Sequence, residues 1–235
     1  MVEAVQKCWA SLFEARAIFY RNEQKFDHFK VGIAVVVQRM VQSEISGVAF
    51  TAEPLSSDDK KIVIEAAYGL GEAVVSGELT PDMYILDKES LHLLEKKVST
   101  QDWQLVRNPD SRDRKRKNIK VAIPAKCKSH QKLANKDIAA LAKIAKMIED
   151  LYKCPQDIEW AKEQGNFYIV QTRPITTLKA KEGTVEEIKG VELFSGLPAS
   201  PGIAAGKTEI ILHPSDIVNL KEGEVLVAEM TTPDF

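Results

Sequence analysis

The chain has 235 residues, 44% apolar and 28% charged, with a formal net charge of −2. That is the profile of a globular protein of one to one and a half domains, without the basic field that would argue for nucleic acid. The longest apolar run, near Ile33–Val37, is too short to span a bilayer, and no basic flank with a long apolar stretch marks a signal peptide.

Residues 1–21 read as a helix, with Val2, Val5, Trp9, Leu12 and Phe19 near one face. VGIAVVVQRMV (31–41) is rich in β-branched residues and reads as a buried strand. SGVAFT (46–51) and KIVIEAAY (61–68) read as two more strands, separated by a polar turn at Ser56–Lys60. GLGEAVVSGELTPD mixes glycines with a short apolar core and reads as a functional loop. MYILD and LHLLEKKV suggest a hairpin around Lys88–Ser90. The charge run RNPDSRDRKRKN (107–118) suits either a phosphate-binding patch or a solvated loop. A helix is expected from about Lys136 to Tyr152, with Asn135 as its cap and Ile138, Leu141, Ala145, Ile148 and Tyr152 as its apolar stripe. Residues 178–190 are polar and aperiodic, as in a linker, and a second strand-rich unit follows at 191–235. The three cysteines are scattered without a CxxC pair, which points to reduced thiols and a cytoplasmic setting.

Within CPQDIEWAKEQGNFYIVQTRPIT (154–176), DIEWA and NFYIVQTR each alternate polar with apolar. A three-residue hairpin loop, Gln164-Gly165-Asn166, pairs Glu163 with Phe167, Glu159 with Gln171 and Asp157 with Arg173. Those last four side chains then share one face, while Ile158, Trp160, Tyr168 and Val170 take the core face. An opposed carboxylate and amide can share Mg²⁺, a hard cation that prefers oxygen ligands, and Arg173 adds a planar fork suited to phosphate. The same pattern also suits an ordinary sheet surface carrying a cross-strand Asp–Arg pair, worth under about 1 kcal/mol.

The motifs VQRMV (37–41), SGVAFTAEP (46–54), EAAYGLGEAVVSGELTPD (65–82), PQDIEWA (155–161), VQTRPIT (170–176) and LPASPGIAAGK (197–207) stand in order along the chain. In this respect the chain resembles the phosphoenolpyruvate synthase (pyruvate,water dikinase) family over essentially its whole length. The resemblance implies an α+β chain. Residues 1–177 would be the C-terminal part of an ATP-grasp domain, with a mixed or antiparallel sheet and flanking helices. Residues 191–235 would begin a swivelling β/α phosphohistidine domain. The implied reaction converts pyruvate, ATP and water to phosphoenolpyruvate, AMP and phosphate. By the same resemblance Glu159 and Gln171 hold Mg²⁺ on ATP, Asp157 supports the metal shell and Arg173 contacts the phosphates during transfer. Gln38, Met40 and Val41 align with the segment that holds adenine, and Glu72 with a residue near the ribose.

Two parts of the family pattern have no counterpart: an N-terminal half supplying a lysine and an arginine to the phosphates, and the TxHA-type stretch bearing the phosphohistidine. His28, His92, His130 and His213 stand in other contexts. The chain alone is therefore expected not to make phosphoenolpyruvate. The missing halves would be partners on separate chains, or this chain an excised piece, and ATP is the expected small-molecule partner, with neither nucleic acid nor membrane. Other readings are a non-catalytic nucleotide-binding or assembly module, and a fragment of a related dikinase or antibiotic phosphotransferase.

Overall fold

The computed structural model describes residues 1–54, 58–109, 117–175, 203–212 and 214–228. The chain divides into two compact units, 1–40 and 41–235.

In the first unit the expected single helix is interrupted. α1 (Val2–Ala10) runs into a 3₁₀ turn at Ser11–Phe13, and α2 (Ala15–Glu23) follows. The break falls at Glu14, whose ψ of 146° is extended. Arg21, only 7% exposed, closes the unit. Its Nε donates to Nδ1 of His28 at 3.0 Å, so the other ring nitrogen carries the proton and donates to Asn22 Oδ1 at 2.8 Å. His28 is thereby a local turn element at the end of α2.

Residues 31–43 form no strand, contrary to expectation. Val36 and Val37 are 82% and 61% exposed. β-branched composition marks a strand only where a neighbouring strand and a covering layer exist, and here that neighbour is not formed among the described residues.

The second unit is organised by one antiparallel sheet of six strands. In chain order these are β1 (Ile45–Phe50), β2 (Lys61–Tyr68), β3 (Asp82–Asp87), β4 (Leu93–Lys97), and later β7 and β8. Between them lie α3 (Glu72–Val75), the hairpin β5 (Trp103–Arg107) and β6 (Asn118–Ala122), and α4 (Asn135–Tyr152). β7 (Gln156–Glu163) and β8 (Asn166–Pro174) complete the sheet in the order β4-β3-β2-β1-β7-β8, every pair antiparallel. β9 (Thr208–Ile210) and β10 (Val225–Val227) form a separate parallel pair.

Strand alternation sends Ala49, Ile62, Ile64, Ala66, Tyr84, Leu86, Ile158 and Trp160 to one face, where they pack against Ile138, Leu141, Ala142 and Ala145 of α4. Each fully buried aliphatic side chain contributes about 1.5–3 kcal/mol. Two ion pairs tie the helix to the sheet, Lys88–Glu149 at 3.0 Å and Lys162–Asp137 at 2.6 Å. Three details of the expected helix differ. Asn135 is its first residue and Ala134 its N-cap, because the Asn135 side chain accepts from Gln131 instead (3.0 Å). Tyr152, counted in the apolar stripe, is 53% exposed, since the helix ends there with Lys153 left-handed at φ 60°.

The β3–β4 hairpin closes as expected, with Asp87 accepting from the Ser90 amide and hydroxyl. The charge run joins β5 to β6, and its residues 110–116 lie outside the described residues. So do the expected linker at 178–190, the boundaries at 177 and 191, and His213.

Candidate functional site

The face of the sheet opposite α4 carries the candidate site. Its anchor is the β7–β8 hairpin, where Asp157 pairs with Arg173 and Glu159 with Gln171, as expected. The route to that register differs from the expected one. The turn has two residues, Gln164 (φ 50°) and Gly165 (φ 81°), so Glu163 pairs with Asn166 and not with Phe167. Both central residues at positive φ describe the type I′ turn that suits the strand twist. A bulge then falls opposite Glu159 and Trp160, with Val170 as the additional residue of β8. Two single-residue departures cancel, and the acid–amide and acid–arginine pairs come out in register.

The bulge also corrects the assignment of faces. Between turn and bulge it is Phe167 and Ile169 that share the face of Trp160, not Tyr168 and Val170. Phe167 meets Trp160 edge to face at 5.7 Å, whereas Tyr168 is 42% exposed.

Around the pairs, Arg173 places Nε and Nη2 each 2.8 Å from Asp157 Oδ2. The Asp157 side chain is 15% exposed and Arg173 69%, so the guanidinium reaches solvent while anchored on a sheltered carboxylate. Nη1 lies outside this pair. β1 continues the face inward, with Val48 beside Glu159 and Phe50 beside Asp157. The β1–β2 register on either side of Val48 sets Glu65 on its other flank. Glu65 and Glu159 are thus two strand spacings apart, about 10 Å. Burial, and then the negative charge of Asp157, hold the Glu65 carboxyl above its usual range. Glu65 was not among the expected site residues. The signal was available, a lone acid inside an otherwise apolar strand, the same kind of anomaly that DIEWA presents.

One end of this face lies under the glycine loop. Ser46, which shares the face of Val48, donates its hydroxyl to the Gly69 carbonyl at 2.6 Å. Gly69 sits at φ 89°, and a Cβ there would lie 2.4 Å from the Leu105 carbonyl oxygen, so the position requires glycine. Leu70 N–H donates to that same oxygen at 2.8 Å. α3 follows, with Ala73 and Val74 buried and Glu72 exposed. Asn118 Nδ2 donates to Glu72 Oε2 at 2.7 Å, and Lys120 Nζ lies 2.6 Å from Glu78 Oε2. The far end of the loop is fixed where Ser99 Oγ donates to the Pro81 carbonyl at 2.8 Å.

The structure therefore brings Asp157, Glu159, Gln171 and Arg173 together and sets the Glu72 loop over the end of their face. Gln38 and Met40 belong to the first unit, and Val41, half-buried, opens the second. Among the described residues no three His, Cys, Asp or Glu side chains gather as a metal site. The candidate donors are two carboxylates and an amide, an oxygen-only set that suits a hard cation completed by ligand oxygens and water.

The sequence profile described as "pyruvate phosphate dikinase, AMP/ATP-binding domain" matches residues 1–191. Over its whole length the chain is 48% identical to the "probable phosphoenolpyruvate synthase" of Methanocaldococcus jannaschii and covers 20% of that protein. It is 46% identical to the "probable phosphoenolpyruvate synthase" of Archaeoglobus fulgidus, of which it covers 31%. With the "phosphoenolpyruvate synthase" of Pyrococcus furiosus the identity is 48% and the coverage 30%. The chain thus spans between a fifth and a third of the length of these relatives.

Proposed function

The chain belongs to the pyruvate phosphate dikinase AMP/ATP-binding domain family, and on that premise we propose that it supplies the Mg-ATP-binding wall of an ATP-dependent phosphotransferase. The whole reaction would convert pyruvate, ATP and water to phosphoenolpyruvate, AMP and phosphate. The observation that carries this reading is the opposition of Glu159 and Gln171 beside the Asp157–Arg173 pair on a face free of α4.

Phosphoryl transfer asks the protein for positioning and for neutralisation of spreading negative charge more than for covalent chemistry. Glu159 and Gln171 would hold the metal, with Asp157 supporting them through the oxygen that Arg173 does not engage. When bound there, Mg²⁺ supplies positive charge against the phosphate oxygens. Arg173, held at one edge by Asp157, would present its remaining N–H groups to the transferring phosphate. Glu72 would meet the ribose. The phosphohistidine and the second phosphate-binding wall would come from the rest of the enzyme, on this or on another polypeptide. The chain by itself then binds nucleotide but does not turn pyruvate over.

Calorimetric titration with ATP in magnesium tests the reading. Glu159→Ala and Gln171→Ala should each weaken ATP binding about tenfold or more, the loss of one charged or amide ligand, with unchanged circular dichroism. ATP binding unaltered in both variants, or absent from the unsubstituted chain, would overturn it.

A further inference from the structure

We propose that Asn118 is a positioning residue for Glu72, holding one carboxylate oxygen so that the other accepts from a sugar hydroxyl of the bound nucleotide. This rests on the proposed place of Glu72 beside the ribose.

The β5–β6 hairpin meets the glycine loop at three points. Leu105 offers its carbonyl to Leu70 N–H, Asn118 donates to Glu72, and Lys120 pairs with Glu78. Asn118 and Lys120 are two residues apart on β6 and so point the same way. Lys120 is itself set in place, its ammonium 4.0 Å from the centre of the Trp103 ring on the partner strand. One strand thus addresses two acids of one loop with two different donors. An ammonium on Glu78 neutralises its charge. An amide on Glu72 orients the carboxylate without cancelling it and leaves a full acceptor oxygen. A hydroxyl donor is the ligand such an oxygen suits, and a ribose presents two. Glu72 is exposed at the surface of the loop, where a glutamate would otherwise wander among rotamers. The 2.7 Å bond from Asn118 selects one.

The test compares ATP with 2′,3′-dideoxy-ATP, titrated in magnesium into the whole chain and into Asn118→Ala, Asn118→Thr and Glu72→Ala. Asn118→Ala and Asn118→Thr are expected to weaken ATP about five- to tenfold, the loss of one hydrogen bond to a charged group. Both should leave dideoxy-ATP within about twofold, and Glu72→Ala should erase the preference for ATP altogether. Thr keeps strand propensity, so agreement of the two substitutions separates positioning from local unfolding. Equal weakening of both nucleotides, or of neither, overturns the inference while binding that still depends on Glu159 and Gln171 leaves the proposed function standing. Failure of the unsubstituted chain to bind ATP overturns both.

Discussion

Lys132→Met tests what fixes the far end of the glycine loop. The Asp82 and Lys132 side chains are both 0% exposed, with Nζ 2.9 Å from Oδ1. Asp82 also accepts from the Tyr84 hydroxyl at 2.7 Å and from the Lys132 and Ser99 amides at 2.9 Å each. Lys132 donates further to the Ser99 carbonyl and lies 5.7 Å from the centre of the Tyr68 ring. Burial and the bond to Asp82 push the Tyr84 phenol above its usual range, so it remains a donor throughout. Methionine would keep the apolar stem and remove the charge, leaving the carboxylate three donors but no counter-ion. Breaking a buried pair from one side costs about 3–5 kcal/mol. With an m-value of about 2–3 kcal/mol/M, the urea midpoint should fall by roughly 1–2 M. Intrinsic fluorescence can follow it, because Trp160 is 1% exposed in the core. The double variant Asp82→Asn/Lys132→Met removes both charges and should recover about 1–3 kcal/mol relative to additivity. A single-variant loss below about 1 kcal/mol, or strict additivity, would refute the argument that charge burial makes this anchor.

Glu65→Gln should stabilise the protein at pH 8 and do little near pH 4.5. The folded carboxyl is held above its ordinary value of 4.5, so the folded state binds more protons than the unfolded chain between that value and the folded one. Stability therefore declines as pH rises through that window, and the amide escapes the decline. A thermal-melt difference that is the same at both pH values would count against it. Gly47→Ala should cost about 2–3 kcal/mol, because a Cβ there would fall 1.9 Å from the Glu65 carbonyl oxygen and force β1 from β2. Chemical denaturation measures it, and a change under about 0.5 kcal/mol would mean that the ladder yields easily. Gly165→Ala places a side chain at φ 81° and should cost about 1–2 kcal/mol. Gly165→Asn should lose less, and the reverse order in urea midpoints would contradict the left-handed turn.

The Glu159–Gln171 pairing was legible because an acid and an amide at matched positions in two alternating segments are an anomaly that packing does not require. β1, β2 and α4 were legible for the opposite reason: their apolar periods serve a core contained within this chain. Residues 31–41 misled because composition reports what a segment could pair with, and among the described residues no strand pairs with them. The turn length and the bulge were hidden from pattern reading, since each shifts the register by one and their sum leaves the polar positions unmoved. Asn118 was illegible for another reason. It ends a charge run, and its bond to Glu72 spans 46 positions of sequence.

That cancellation limits how the hairpin can change over evolutionary time. Which side of a sheet a residue occupies is a matter of odd or even. A lone insertion at the tip, or a lone deletion at the kink, moves the hairpin between the two. Lineages that lengthen or shorten the Gln164-Gly165 corner should therefore alter the Val170 irregularity in the same step. Those that change only one should be the ones in which Glu159 and Gln171 no longer stand opposite each other.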